Sequence, residues 1–120
     1  MVEKNPIDIY VSHEDGIEVV TVVGPVDSAT LEAFRIKVEP VCSKQGARVL
    51  LDCKDLTYVN SRAIGLLMKF HRSLMLTRGR FALCSLSHKL LKTLDLLQIG
   101  KTLTIFPSRD EALAALQKTT

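Results

Sequence analysis

The sequence predicts an α/β protein with a mixed, mostly parallel sheet, an N-terminal antiparallel hairpin and about four helices. Two observations give this prediction. Short apolar runs typical of strands alternate with stretches whose apolar residues recur every three or four positions, as on one face of a helix. An Asp15-Gly16 turn joins the first two strand patterns, whereas each later strand pattern follows a helical one. Right-handed crossovers through those helices would make the later strands parallel.

Length and composition favour one domain and argue against nucleic-acid binding. The chain has 120 residues, 47% of them apolar, which is enough for a core of its own, so we expect a single domain over residues 1–120. The net charge of +3 is small and evenly spread along the chain. Only 5% of residues are aromatic and Trp is absent, so stacking platforms for bases are not expected either.

The sequence is typical of a cytoplasmic protein. The first residues, Met1–Pro6, are polar and lead directly into a strand pattern, so no signal peptide is expected. No apolar run approaches the length of a membrane span, and direct membrane insertion is not expected. The cysteines form no CxxC pair, which favours reduced, buried thiols. They are Cys42, Cys53 and Cys84.

Five strands are predicted. The second is apolar at nearly every residue, which indicates a central strand covered on both faces, and the first should lie beside it at the sheet edge. The strand patterns cover Ile7–Ser12, Ile17–Val23, Arg48–Asp52, Phe81–Cys84 and Leu103–Phe106.

Four helices are predicted from capping residues and apolar stripes. Asp27-Ser28 offers caps for the first, and Pro40 predicts a kink or an early end near Lys37–Glu39. Asn60-Ser61 begins the second, whose apolar positions are Ile64, Leu67, Met68, His71, Leu74 and Met75. Ser87 caps the third, with an apolar face of Leu90, Leu91, Leu94 and Leu97 and an end at Gly100. Ser108–Glu111 is a capping box for the last.

Three loops should converge at the carboxyl edge of the sheet, where α/β proteins usually place their sites. They are Gly24–Asp27, Lys54–Ser61 and Ser85–Ser87. Ser61 lies at a helix N-terminus, where unpaired N–H groups and the helix dipole favour a negative charge such as a phosphate. An ordinary helix cap is the commoner role for a serine at this position. Both interpretations remain open on the residues alone.

The residues do not predict an enzyme. No GxSxG motif surrounds Ser61, and neither a P-loop nor a GxGxxG motif is present, so no nucleotide cofactor is expected. The histidines that could act as bases fall in unrelated contexts: His13, His71 and His88. Aspartates at strand ends could form a loose Mg²⁺ site, although such residues more often cap loops, and no metal site is expected. They are Asp27, Asp52 and Asp55.

Three motifs resemble those of the STAS-domain anti-sigma factor antagonists, small bacterial regulators. Val22–Asp27 is similar to the family's apolar–Gly–x–apolar–Asp end of the second strand. Val49–Asp52 followed by Leu56–Gly65 is similar to its strand, loop and Asp-Ser-[Ser/Thr]-Gly-apolar-Gly segment. Phe106–Leu113 resembles its closing strand and Ser, Glu-Ala-apolar ending. With the order of elements, the resemblance covers nearly the whole chain and implies the STAS fold.

The resemblance implies a partner switch. In the family, the unphosphorylated antagonist binds an anti-sigma factor, which is a serine kinase of the GHKL type, and so frees a sigma factor. The kinase phosphorylates the motif serine and breaks the complex, and a PP2C-type phosphatase restores it. Ser61 aligns with that phosphoacceptor, and Asp27 with an acidic residue on the partner-facing surface. The implied partner-binding residues are Asp27, Ser28, Asn60, Ser61, Arg62 and Ala63.

The chain departs from the family motif at three positions. Asn60 replaces Asp, Arg62 replaces a small hydroxyl residue, and Ala63 replaces Gly. These changes motivate an alternative in which the chain is a STAS subunit of a transporter or signalling scaffold that does not switch. A third alternative is a nucleotide-binding, flavodoxin-like enzyme that uses the strand-end aspartates. The sequence does not indicate the partner's identity or the oligomeric state.

Overall fold

The structure, a computed structural model, describes residues 6–118. The polar start Met1–Asn5, on which the signal-peptide prediction was based, lies outside the described residues. The elements, in chain order, are β1 (Asp8–Glu14), β2 (Ile17–Val26), α1 (Leu31–Cys42), β3 (Arg48–Asp52), β4 (Leu56–Val59), α2 (Ser61–Leu76), β5 (Arg80–Cys84), α3 (His88–Leu96), β6 (Thr104–Phe106) and α4 (Arg109–Gln117).

The sheet confirms the predicted fold class. Its strand order is β1-β2-β3-β5-β6, with β4 paired to β2 beside this path. The β1–β2 hairpin is antiparallel, and all other strand pairs are parallel. β1 lies at one edge, as the hairpin pattern predicted, and β2 is buried along most of its length. The mixed α/β architecture therefore follows the alternation of the sequence.

The stretch 54–61, expected as a polar loop, contains the additional strand β4. It pairs with the carboxyl end of β2, with Gly24 opposite Leu56 and Val26 opposite Val59. β2 has ten residues and β3 only five, so the end of β2 extends past β3 and β4 supplies its backbone partners. Only Leu56 and Val59 of β4 are buried, so the strand lacks the alternating pattern that would reveal it in the sequence.

Two apolar layers cover the two faces of the sheet. Alternate residues of β2 supply both layers because successive side chains of a strand point to opposite faces. Val20 and Val22 belong to the larger layer, which includes buried residues of α1, α2 and α3. Ile17 and Val19 belong to the smaller layer, which includes Ala112 of α4. The sheet is therefore covered on both sides, as the apolar run in β2 predicted.

Of the two outcomes predicted at Pro40, a kink or an early end, the early end is wrong, because α1 continues through Pro40 to Cys42. Proline inside a helix costs about 3 kcal/mol. Val41 and Cys42, which follow it, are both buried in the core, and burial of one such side chain contributes roughly 1.5–3 kcal/mol. Their burial is sufficient to offset the cost of the proline. The carbonyl of Ile36, which loses its helical donor, belongs to a residue that is 60% exposed.

The apolar faces of α2 and α3 differ in part from the prediction. In α2, Phe70 is buried, although the pattern did not include it, whereas Met75 is 62% exposed. In α3, Leu91 and Leu97 are exposed, and the helix ends at Leu96 rather than near Gly100. Among the residues that the structure describes, no helix has both the length and the apolar character needed to cross a bilayer.

Arginine side chains hold both ends of α4 against the sheet. Arg48 and Arg80 donate to the carbonyls of Leu116 (3.0 Å) and Ala115 (2.8 Å) at its C-terminus. At its N-terminus, Arg109 donates to Glu14 (2.8 Å) and to the buried Asp52 (3.3 Å). The hydrogen bond to Glu14, followed by the interactions with Asp52, raises the pKa of Arg109. The last helix is therefore fixed relative to β1 and β3.

Candidate functional site

The site begins at a bend in β2. The register of β2 against β4 shifts between Gly24 and Pro25. Gly24 has φ +109°, and a Cβ there would lie 2.5 Å from the carbonyl oxygen of Pro6. Its N–H donates to the carbonyl of Asp55 at 3.0 Å. Only glycine tolerates both this conformation and this approach, so the bend that directs the end of β2 toward β4 depends on Gly24.

Asp27 organises the loop between β2 and α1. Its carboxylate accepts hydrogen bonds from the N–H groups of Ala29 (2.9 Å) and Thr30 (3.1 Å). The hydroxyl of Thr30, which is buried, donates to the carbonyl of Pro25 at 2.7 Å and accepts from the N–H of Asp27 at 2.9 Å. The predicted caps at Asp27-Ser28 are therefore displaced: Thr30 is the N-cap of α1, and Asp27 closes the turn before it.

Asn60 is the N-cap of α2. Its backbone is extended, and its side-chain oxygen accepts from the N–H of Ala63 at 2.8 Å. Ser61 is therefore the first residue of the helix rather than its cap, and its side chain is exposed. Within residues 6–118, no hydrogen bond to the Ser61 hydroxyl is described. The sequence predicted this helix start correctly, and Asn60 alone takes the capping role.

The two loops meet because the N–H of Asn60 donates to the carbonyl of Val26 at 3.1 Å. Asp27 and Ser61 each follow one of these bonded residues in the chain. We call the segments Asp27–Ser28 and Asn60–Ala63 together the loop junction. It contains all six residues that the family resemblance singled out, and the structure brings the two segments together.

The three positions that depart from the family motif have different environments. The Asn60 side chain caps the helix, as Asp would, but without a charge. Ala63 is buried in the core at the helix start, where its methyl group is accommodated in a helical conformation. Arg62 is exposed and lies at a groove between α1 and α2. Of the three changes, only that at Arg62 adds a charged side chain at the surface.

The third predicted loop starts beside the second. The N–H of Cys53 donates to the carbonyl of Cys84 at 2.9 Å, so the segments that follow β3 and β5 start side by side. Ser87 then caps α3 by accepting from the N–H of Leu90 at 3.2 Å.

The sequence analysis did not identify Thr30, whose buried hydroxyl stabilises the loop junction through its hydrogen bonds to Pro25 and Asp27. No pattern in the sequence distinguishes it from an exposed threonine.

The strand-end aspartates have structural partners. Asp52 is buried and accepts from Arg109 and from the N–H of Lys54 (3.1 Å), while Asp27 caps its own loop. Among residues 6–118, no three His, Cys, Asp or Glu side chains are grouped so that they could hold a metal ion. All three cysteines are free and buried. Burial raises the pKa of the Cys42 thiol to about 12 and also raises the pKa of Cys53 and Cys84.

Comparison with known proteins identifies the family. The fold and the loop junction define a mixed α/β domain whose candidate site is an exposed surface. A family model described as "STAS domain" matches residues 8–112. The chain belongs to the STAS-domain family. The resemblance found in the sequence is confirmed at this level.

Two curated relatives are named for the same role. The Anti-sigma F factor antagonist of Paenibacillus polymyxa is 22% identical over 112 residues, which cover 92% of this chain and 96% of the relative. A candidate anti-sigma factor antagonist, BtrV of Bordetella bronchiseptica, is 28% identical over 106 residues, which cover 86% of this chain and 89% of the relative.

Solved structures share the fold. An anti-sigma factor antagonist from Mycobacterium paratuberculosis superposes with a TM-score of 0.84 at 23% identity, covering 93% of this chain and 95% of the other. The phosphorylated form of the Bacillus cell fate determinant SpoIIAA gives 0.67 at 18%, covering 90% and 98%. The murine anion transporter Slc26a9 gives 0.70 at 22%, covering 85% of this chain but only 18% of the transporter. At these identities the likeness concerns the fold.

Proposed function

We propose that the protein is an anti-sigma factor antagonist that switches partners through phosphorylation of Ser61. The observation that carries the proposal is the position of Ser61: an exposed hydroxyl at the first residue of α2, inside the loop junction. The partner is an anti-sigma factor that is itself a serine kinase of the GHKL type. It contacts Asp27, Ser28 and the segment Asn60–Arg62. Ala63, which the resemblance also implied, is buried in the core and supports the helix start from inside. A PP2C-type phosphatase reverses the modification.

The helix N-terminus can accommodate a phosphate. Two of the N–H groups at the start of α2 already have acceptors: that of Ala63 donates to the Asn60 side chain, and that of Ile64 donates to the Asn60 carbonyl. The N–H groups of Ser61 and Arg62 have no acceptor among the described residues. A phosphate on Ser61, with about −1.5 to −2 charges, would be stabilised by these donors and by the helix dipole.

The same charge would oppose binding. A partner surface that fits a neutral hydroxyl would have to desolvate a dianion at the centre of the contact. Each 1.4 kcal/mol of that penalty lowers the affinity about tenfold. The modification therefore needs no large conformational change in this chain to release the partner, since the charge itself lies in the interface.

Two lines of comparison support this role. Both curated relatives carry the name of anti-sigma factor antagonist, and each aligns over most of its own length. One protein with the same fold, SpoIIAA, is known in a phosphorylated form. We accordingly propose a non-enzymatic, cytoplasmic regulator of bacterial transcription, whose activity lies in the complexes that it forms.

Phosphorylation by the cognate GHKL kinase tests the proposal. The purified chain is incubated with the kinase and ATP, and the product is mapped by mass spectrometry. One phosphate at Ser61 is expected, and Ser61→Ala should abolish it. Ser12→Ala is the matched control, because Ser12 is an exposed serine of β1 outside the loop junction and its loss should leave the yield unchanged. Absence of phosphate on Ser61 would refute the switch.

A second candidate function is a STAS subunit of a transporter or signalling scaffold that does not switch. The bulky Arg62 beside Ser61 favours it, and the same fold occurs within the Slc26a9 transporter. This candidate predicts a partner that binds the chain equally well with Ser61 or with Ser61→Asp. Purification of the complex from the host separates the two, since a GHKL kinase supports the first and a transporter or scaffold the second.

A further inference from the structure

A groove of about 390 Å³ runs between α1 and α2 beside the loop junction. Leu31 and Arg35 line it from α1, and Arg62, Gly65 and Leu66 from α2. Leu31 and Leu66 are both half-buried and pack against the main core, so the groove has an apolar floor. Because Arg62 belongs to both the groove and the loop junction, a partner that covers the junction would also reach the groove.

The charges along the groove are unequally compensated. Arg35 forms ion pairs with Glu32 and with Glu39, the latter at 3.0 Å. Lys69 lies 3.4 Å from the second oxygen of Glu39. Arg62 has no ion-pair or hydrogen-bond partner for its guanidinium within residues 6–118. The groove therefore offers one uncompensated cation, at the end nearest Ser61.

Gly65 is a glycine that the chain's own packing does not require. It lies inside α2, where glycine is less favourable than alanine because it loses more backbone entropy on folding. A Cβ built at Gly65 would meet no atom within 4 Å, and its backbone has an ordinary negative φ. Neither backbone strain nor internal crowding accounts for it. Its effect is to keep the groove open beside Arg62.

We propose that this groove receives a segment of the partner that carries an acidic side chain, whose carboxylate pairs with Arg62 while its backbone passes close over Gly65. This inference rests on the proposed function and names the chemistry of the partner at that surface. A guanidinium binds a carboxylate through two parallel hydrogen bonds, which gives Arg62 a role that a small hydroxyl residue could not fill. Arg62 thus determines which partner is accepted.

The acidic side chain also gives a physical reason for release of the partner. A carboxylate bound at Arg62 would lie next to any phosphate formed on the adjacent Ser61. The phosphate would repel the carboxylate and compete with it for the guanidinium. Modification of Ser61 would therefore oppose the contact at Arg62 as well as the contact at the hydroxyl.

Affinity for the purified cognate anti-sigma kinase tests the proposal, with calorimetry as the readout. We expect Arg62→Glu to weaken binding at least about tenfold, the size typical of a lost close charge pair. The matched control is Arg72→Glu, an exposed arginine on the same helix outside the groove, which should bind like the wild type. A single Asp→Lys or Glu→Lys change in the kinase should restore binding to the Arg62→Glu variant.

Gly65→Ala gives a second test, whose expected result differs from that of misfolding, because misfolding would lower both stability and affinity. It should raise the urea midpoint of the chain, since alanine favours the helix, and yet weaken binding severalfold. If Arg62→Glu and Gly65→Ala both bind like the wild type while Ser61→Asp still weakens binding, the groove is not the binding site of an acidic segment. The proposed switch would then still stand. Failure of the wild-type chain to bind the kinase, or indifference to Ser61→Asp, would overturn the proposed function and the groove with it.

Discussion

The N–H of Asn60 donates to the carbonyl of Val26 at 3.1 Å, and this bond joins the ends of β2 and β4. Asp27 and Ser61 follow those two residues directly, although they are far apart in the sequence. The pairing of β2 with β4, rather than either loop alone, therefore determines the relative position of the two segments. Changes that disturb this pairing should affect both the stability of the chain and the loop junction.

Gly24→Ala should destabilise the fold strongly. The substitution introduces a Cβ 2.5 Å from the carbonyl of Pro6 and requires φ +109° of an alanine, so we expect a loss of about 2–3 kcal/mol. Gly100→Ala is the matched control, because a Cβ there meets no atom within 4 Å and its φ is not positive. Urea unfolding of both variants measures the difference, and equal midpoints would refute the role of Gly24 in the bend.

Asn60→Ala should cost about 1 kcal/mol, because it removes the hydrogen bond from the side chain to the N–H of Ala63. Asn60→Asp keeps the acceptor and adds a charge that the helix dipole favours, so it should be at least as stable as the wild type. Chemical denaturation gives the ranking. A loss of stability as large in Asn60→Asp as in Asn60→Ala would contradict the capping role.

Arg109→Gln should destabilise the chain by about 1 kcal/mol. The variant leaves the buried carboxylate of Asp52 with the N–H of Lys54 as its remaining partner, which carries a cost of about 1–3 kcal/mol for a buried group. The lower end applies because the Arg109 side chain is 37% exposed and water screens the pair. Arg72→Gln, at an exposed site without an ion pair in residues 6–118, should leave the unfolding midpoint unchanged. Equal midpoints for the two variants would contradict the account.

Stability should fall in mildly alkaline solution, and Cys42 should contribute to that loss. Burial, aided by the charge of Glu18, raises the pKa of the Cys42 thiol to about 12, whereas an unfolded cysteine titrates near about 8.5. The folded chain therefore keeps this proton while the unfolded chain releases it. The stabilisation is complete below about pH 8.5 and decreases by up to about 1.4 kcal/mol per pH unit as the pH rises toward the folded pKa.

The variant Cys42→Ala isolates that contribution. Urea unfolding at pH 8, 9 and 10 should show a steeper loss of stability in the wild type than in the variant. Other groups that titrate in this range contribute equally to both chains, so they cancel in the comparison. Parallel curves would show that Cys42 does not remain protonated in the fold.

Much of the architecture could be predicted because it depends on local patterns. The apolar run of β2, the strand Arg48–Asp52 and the caps Asn60, Ser87 and Ser108 are all visible as residue types at fixed spacings. The sequence did not predict β4. This strand forms because the end of β2 lacks a backbone partner, and the four residues of β4 carry no local pattern that shows this long-range pairing. The early end allowed for at Pro40 does not occur, because core burial after Pro40 outweighs the local preference of proline.

The loop junction was predictable in part for the same reason. Ser61 follows a capping residue, and Asp27 follows a strand, so both could be placed at the edge of the sheet. The buried hydroxyl of Thr30 and the groove at Arg62 and Gly65 arise only when α1 packs beside α2. The pattern of residues within one helix does not show which residues of a second helix will lie next to them.

The affinity of the unphosphorylated chain and of the chain phosphorylated at Ser61 for the cognate anti-sigma kinase tests the central claim most directly. Both forms are purified and titrated into the kinase under the same conditions. We expect the phosphorylated form to bind at least about tenfold more weakly, because the added dianion lies in the interface. Equal affinities would contradict the assignment of Ser61 as the switch.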